Sequence, residues 1–125
     1  MVRLKVLQVE DAIDYQILFK QFTKKELDIT LVATISDLKN ISIKEWQEFQ
    51  LIILDGQLPD GAGMDVMNYL ANQKVKLPVV ANSSSDKYNQ AMIQLGAKWS
   101  FNKDRFPKEI KLIISRIQDL TSSSQ

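Results

Sequence analysis

The chain has 125 residues, 45% of them hydrophobic and 25% charged, with a net charge of +1. That length suits one compact domain with a full core, and that charge gives no bulk attraction to nucleic acid or to a membrane surface. There is no cysteine and no histidine, which excludes disulfides, thiolate metal sites, thiol nucleophiles, Ser-His-Asp triads and imidazole bases. Any chemistry must rest on carboxylates, hydroxyls, amines and backbone groups. No apolar run reaches the length of a membrane span, and Arg3 and Lys5 break the run from Met1 to Val9 too early for a signal peptide. A cytoplasmic setting is the expectation.

The first element, Leu4 to Val9, is a short apolar run that stops abruptly at Glu10-Asp11, as expected of a buried strand delivering acids at its C-terminal end. Ile13, Ile17, Leu18 and Phe22 then recur at helical spacing between Ala12 and Phe22. Ile29 to Thr34 reads as a second strand. Asp37 to Phe49 suits a helix through Leu38, Ile41, Trp46 and Phe49, although Ile41-Ser42-Ile43 interrupts it. Leu51 to Leu54 is a continuous aliphatic run ending at Asp55, the pattern of a parallel strand covered on both faces. Gly56 to Gly63, with three glycines and Pro59, is predicted to be a loop. A helix carrying Met64, Met67, Tyr69 and Leu70 follows it.

Leu77 to Ala81 is the fourth strand, running into Asn82-Ser83-Ser84-Ser85. Tyr88 to Leu95 is a helix closed by Gly96. Trp99 to Phe101 is a short fifth strand leading to Lys103. Pro107 is expected to open the last helix, with Ile110, Ile113, Ile114, Ile117 and Leu120 on one face. The tail from Thr121 to Gln125 is polar and expected to fray.

Strand and helix thus alternate five times. That order implies a parallel sheet with right-handed crossovers and helices on both faces, and such sheets bind ligands beyond the C-terminal ends of their strands. Those ends carry Glu10-Asp11, Asp55, Ser83 and Lys103. Three carboxylates in one crevice need a cation, and oxygen donors alone suit Mg2+. A carboxylate beside such a cation can attack a phosphoryl group in line, while a lysine and a hydroxyl hold the transferred oxygens. No general base is required, because a carboxylate nucleophile has no proton to lose. Taken singly, each residue has a plainer reading: the acids as helix caps, Asp55 as a turn residue, Ser83 as the cap of the next helix and Lys103 as a surface lysine. Together at neighbouring strand ends they argue for function. Trp46, Trp99 and the methionines are assigned to the core.

These residues resemble the receiver domain of two-component response regulators across nearly the whole chain. The carriers are Val9-Glu10-Asp11, the run from Leu54 through Asp55 to Gly63, Leu77 to Val80 leading to Ser83, Gly96-Ala97 and Lys103. The most specific of them is the aspartate loop, with Pro59 four residues after Asp55 and Gly63 eight residues after it. The resemblance implies an α/β fold, a five-stranded parallel sheet in flavodoxin-like order 2-1-3-4-5 with helices on both faces, a single domain over residues 1–121 and a polar tail over 122–125. It implies Asp55 as phosphoacceptor, Asp11 as direct Mg2+ ligand, Glu10 as an acid reaching the metal through water, and Gln57 as the backbone carbonyl completing the metal site. Ser83 then matches the switch hydroxyl, and Lys103 the lysine that contacts acceptor and phosphoryl group. The side chains of Gln57 and Ser85 sit where the family tunes hydrolysis of the phosphoaspartate. The implied donor is a phosphohistidine on a sensor histidine kinase or a histidine phosphotransfer protein.

The chain departs from the family pattern at several positions. Asp104 follows Lys103 where proline across a cis bond is usual, which predicts a trans Lys103–Asp104 bond, a rearranged loop and an anion competing for the lysine. Ser100 stands where many receivers carry an aromatic switch residue, and strand alternation turns Trp99 and Phe101 to the opposite face. Ser84 replaces a common alanine, and Asn82 a common apolar residue.

The leading expectation is a phosphorylation-controlled binding switch that catalyses its own phosphoryl uptake and slow loss without being a turnover enzyme. It would act on an unknown downstream protein, with no direct nucleic-acid or membrane contact, as a monomer or weak dimer. The alternative is a pseudo-receiver, an interaction module with an idle site. A hydrolase or flavin protein on the same fold is disfavoured, because there is no obvious base and no Ser/Thr-rich phosphate loop after the first strand. No effector domain follows Gln125 in the sequence, so the chain reads as a stand-alone receiver or as a piece of a longer regulator or hybrid kinase.

Overall fold

The structure is a computed structural model that describes residues 2–122. Five parallel strands form the main sheet: β1 (Leu4–Val9), β2 (Leu27–Val32), β3 (Leu51–Leu54), β6 (Val79–Ala81) and β7 (Trp99–Ser100). Their order is β2-β1-β3-β6-β7, which is 2-1-3-4-5 when only these five strands are numbered, as expected. A two-stranded antiparallel ribbon, β4 (Gln57–Leu58) and β5 (Gly61–Ala62), lies inside the segment read from sequence as a plain loop. The helices are α1 (Ile13–Thr23), α2 (Ile35–Lys39), α3 (Ile43–Trp46), α4 (Gly63–Asn72), α5 (Asp86–Gln94) and α6 (Ile110–Ser122).

Two apolar layers sandwich the sheet. Leu7, Val9, Ile52, Leu54, Val79 and Ala81 point to the side covered by α2, α3, α4 and α5. Val6, Leu51, Ile53 and Val80 point to the other side, against Phe19 of α1 and Ile113, Ile114 and Ile117 of α6. All four residues of β3 are buried, because a central parallel strand has no solvent face. The polar Gln8 of β1 sits on that side at 1% exposure, and neither of its amide atoms has a hydrogen-bond partner.

The differences from the expected elements have local causes. The helix expected over residues 37–49 is two short helices, because Ser42 starts a new one. Its hydroxyl accepts from the Glu45 N–H at 3.1 Å, and the Glu45 carboxylate accepts from the Ser42 N–H at 3.0 Å, a reciprocal cap that ends α2 before it. β2 begins at Leu27 and ends at Val32 rather than covering 29–34, since Thr34 caps α2 by accepting from the Asp37 N–H at 3.0 Å. β6 is shorter than the expected 77–81, beginning after Pro78. Gly96 closes the α5 segment at φ 115°, a conformation that side chains with a Cβ rarely adopt.

The last helix does not open at Pro107. Phe106 is extended at φ −100°, ψ 133°, as residues before proline tend to be, and regular helix begins only at Ile110. Just before Phe106, Lys103–Arg105 forms a 3-10 turn, capped by Asn102, whose side-chain oxygen accepts from the Asp104 N–H at 2.9 Å. Among the described residues the cis peptide bond is Phe106–Pro107, not Lys103–Asp104. Thr121 and Ser122 belong to α6 rather than to a frayed tail; the rest of that tail, 123–125, lies outside the described residues.

Candidate functional site

The C-terminal ends of β1, β3 and β6 and the turn after β7 converge on one cleft. Val9 pairs with Leu54, and Leu54 with Ala81, so Glu10, Asp55 and Asn82 leave neighbouring strands at the same level. Carboxylate oxygens of Glu10, Asp11 and Asp55 lie within 4.8 Å of one another. Glu10 and Asp55 are buried, at 1% and 6% exposure, while Asp11 is open to solvent.

Lys103 enters between the two buried acids. Its Nζ is 2.7 Å from Glu10 Oε1 and 2.9 Å from Glu10 Oε2, and 3.2 Å from Asp55 Oδ2. The ammonium thus serves Glu10 and Asp55, and Asp104 is not the competitor that its sequence position suggested. Asp55 Oδ1 accepts from the Gly56 N–H at 2.7 Å, and Glu10 Oε2 accepts from the Ala12 N–H at 3.1 Å. Burial pushes the Glu10 carboxyl up to about 7, the Lys103 hydrogen bond opposing it and the Asp55 charge adding to it.

Ser83 is 2% exposed. It is not the cap of α5, a role taken by Ser85, whose hydroxyl accepts from the Tyr88 N–H at 3.3 Å. The Ser83 hydroxyl accepts from the Ser85 N–H at 3.1 Å. The Ser83 backbone is clasped by Asn89, which accepts from its N–H at 2.9 Å and donates to its carbonyl at 3.0 Å. The same carbonyl accepts from the Lys103 N–H at 3.2 Å. Asn102 donates to the Ser84 carbonyl and to the Asp86 carboxylate, both at 3.0 Å. Ser83, the first turn of α5 and the Lys103 turn are therefore stitched together.

The loop after Asp55 is also tied. The Gly63 N–H donates to the Gly56 carbonyl at 2.8 Å, closing the ribbon at its base. A Cβ on Gly63 would stand 2.6 Å from both the Asp55 carbonyl oxygen and the Met92 sulfur, so only glycine fits there. The Asp60 carboxylate accepts from the Ile35 and Ser36 N–H groups at 2.8 and 3.0 Å, which fastens the loop to the start of α2 and holds that carboxyl below its usual range. Gln57 begins the ribbon two residues past Asp55, and its side-chain amide donates to the Tyr88 hydroxyl at 3.4 Å.

Tyr15, which the sequence did not single out, joins the site with Asn82, and Ser100 lies on its flank. Tyr15 of α1 presents its ring face to Lys103 Nζ at 4.8 Å and donates its hydroxyl to Asn82 at 2.8 Å. Ser100 faces away from Trp99 and Phe101, as strand alternation predicts: those two pack under α6, while Ser100 lines a polar groove with Asp86, Asn89 and Asn102.

Three carboxylate oxygens so close together, one at the open mouth and two within, form a donor set suited to a hard divalent cation.

A cleft of this make-up at the strand ends of a 2-1-3-4-5 sheet defines a class of signalling domain, the receiver. Comparison with known proteins agrees, and the chain belongs to the response regulator receiver domain family, whose profile matches residues 6–115. The chain is similar to the signal receiver domain of a protein described as a Luxo repressor from Vibrio parahaemolyticus, at 34% identity and a TM-score of 0.71, covering 95% of this chain and 97% of that one. It also resembles a CheY-like receiver domain protein from Methanospirillum hungatei, with a TM-score of 0.80 over 99% of this chain and 100% of that one; at 18% identity this speaks for the fold alone. No curated protein sequence matches it. No helix among the described residues is long and apolar enough to cross a membrane.

Proposed function

We propose that this receiver domain accepts a phosphoryl group on Asp55 in a Mg2+-dependent reaction, from a phosphohistidine of a sensor histidine kinase or a histidine phosphotransfer protein in the cytoplasm, and that phosphorylation switches its contacts with a downstream protein. The observation that carries the reading is the Lys103 ammonium held between two buried carboxylates, 3.2 Å from the Asp55 oxygen. A buried charged cluster of this kind at strand ends is costly to stability, which supports a chemical role for it.

An Asp55 oxygen forms the new O–P bond as the N–P bond of the donor breaks, and the departing imidazole keeps the bonding pair. Gly56 N–H, bonded to Oδ1, orients the carboxylate. Lys103 is within reach of the charge that develops on the transferred oxygens. Asp11, Asp55, the Gln57 carbonyl and, through water, Glu10 would hold Mg2+, which supplies charge neutralisation. Ser83 supplies a hydroxyl beside the acceptor. The domain serves as the catalyst of its own modification and does not turn over substrate. Ile13 and Ile17, 68% and 62% exposed on the outer side of α1, offer apolar surface beside Asp11 for the phosphodonor protein.

The test is Mg2+-dependent labelling by acetyl phosphate. Wild type should label, and Asp55→Asn should not; labelling that survives in Asp55→Asn would overturn the assignment. The pseudo-receiver reading draws on one observation: both Glu10 oxygens are already engaged, with Lys103 and with the Ala12 N–H. It predicts no labelling and no response of stability to Mg2+.

A further inference from the structure

We propose that Tyr15, anchored by Asn82, positions the Lys103 ammonium between Glu10 and Asp55, a role that rests on the phosphoacceptor reading above. Lysine is a point charge on a flexible four-carbon stem, and something must hold its end in place. In this chain the following residue is Asp104 and the backbone turns at once into a 3-10 turn. The holding contacts therefore come from elsewhere.

Three sets of contacts supply them. The Tyr15 ring lies under the ammonium, 4.8 Å from Nζ to the ring centroid, close enough for its negative face to attract the cation. The ring is fixed at its far end by Asn82, which is 1% exposed. Asn82 accepts from the Tyr15 hydroxyl at 2.8 Å and donates to the Phe101 carbonyl at 3.0 Å, joining α1 to the end of the strand that leads to Lys103. An apolar residue at position 82 could make neither bond. Phe106, immediately after the Lys103 turn, closes the circuit from the other side. It meets Tyr15 edge-on at 5.9 Å and stacks on Phe19 at 4.8 Å.

The chemical merit of a ring here is its neutrality. Glu10 also holds Lys103, but as a charge that competes with incoming phosphoryl oxygens for the same ammonium. The Tyr15 face restrains the ammonium without neutralising it, so the full positive charge remains available when a phosphoryl group arrives. Burial pushes the Tyr15 phenol up, away from ionisation, which keeps the ring uncharged.

The test uses the full chain and two readouts. By NMR, the Lys103 side-chain protons should be shifted upfield by the Tyr15 ring current in wild type and in Tyr15→Phe, and should lose that shift in Tyr15→Leu. With acetyl phosphate and Mg2+, Tyr15→Leu should label about three- to ten-fold more slowly than wild type, and Tyr15→Phe should recover part of the loss. Asn82→Leu provides a second variant with the ring intact and its anchor gone, and it should show a reduced ring-current shift. Unshifted Lys103 protons in wild type, or a shift unchanged in Tyr15→Leu, would overturn the proposal. So would equal labelling rates for wild type and Tyr15→Leu while Lys103→Ala is impaired. If wild type itself does not label, the phosphoacceptor reading fails, and the NMR readout still decides the role of Tyr15.

Discussion

Lys103 and Glu10 form the tightest ion pair of the cleft, at 2.7 Å, with the Glu10 side chain 2% and the Lys103 side chain 16% exposed. Removing one partner of such a pair strands the other in a poorly solvated place. Lys103→Met should therefore lower stability by about 3 kcal/mol at pH 8 in the presence of a chelator. The loss should shrink when Mg2+ is added, because a divalent cation replaces the missing charge. Urea denaturation with and without Mg2+ checks this; an equal loss in both conditions would show that the acids do not share a cation.

The raised Glu10 carboxyl sets a pH dependence whose sign can be worked out. Its folded value, about 7, lies above its ordinary 4.5, so between those limits the folded chain binds more protons than the unfolded one. The contribution to stability is then fully present below about 4.5 and is lost as pH rises towards 7. In the metal-free protein the charging of Glu10 makes the cleft more costly at pH 8 than at pH 5, and Glu10→Gln should flatten that part of the profile. Since protons and Mg2+ compete for the same acids, the apparent Mg2+ affinity should rise over the same range. Isothermal titration at two pH values measures it.

Gln8 lies in the centre of the sheet with both amide atoms unpartnered. Leaving buried polar atoms unpaired costs about 1–3 kcal/mol, whereas an apolar side chain of similar shape carries no such cost. Gln8→Leu should raise the denaturation midpoint by an amount worth about 1–2 kcal/mol. A drop in stability would mean that the amide is satisfied in solution.

Gly63 sits where any Cβ meets the Asp55 carbonyl and the Met92 sulfur at 2.6 Å. Gly63→Ala should cost about 2 kcal/mol through this overpacking. Because one clash is with the backbone of Asp55, the proposed labelling of that residue should fall further than stability alone explains.

Much of this was legible in the residues themselves. The aliphatic run Leu51 to Leu54 and the acids placed at strand ends identify the sheet and its functional edge, because burial on both faces permits no alternation. What could not be read depends on partners distant in sequence. Asn82 looks like an unfavourable polar substitution until Tyr15, 67 residues away, is seen to bond it. Asp104 beside Lys103 suggests a competing anion, yet Glu10, 93 residues earlier, takes the ammonium. The late start of α6 goes with the extended Phe106 before Pro107, and what the sequence hides is that its ring packs on Tyr15, Phe19 and Phe22 of α1.

The stitching around Ser83 has a mechanical consequence. The loop after Asp55 is pinned at Gly56, Gly63 and Asp60, so that bank of the cleft is an abutment. The opposite bank is a single lever: Asn89 grips the Ser83 backbone, Asn102 spans Ser84 and Asp86, and the Lys103 N–H hangs from the Ser83 carbonyl. A pull on Ser83 from across the cleft moves the first turn of α5 and the Lys103 turn together. The groove lined by Asp86, Asn89, Ser100 and Asn102 is the outer face of that lever, so under the proposed function its shape would report events at Asp55 with no rotating aromatic ring at position 100.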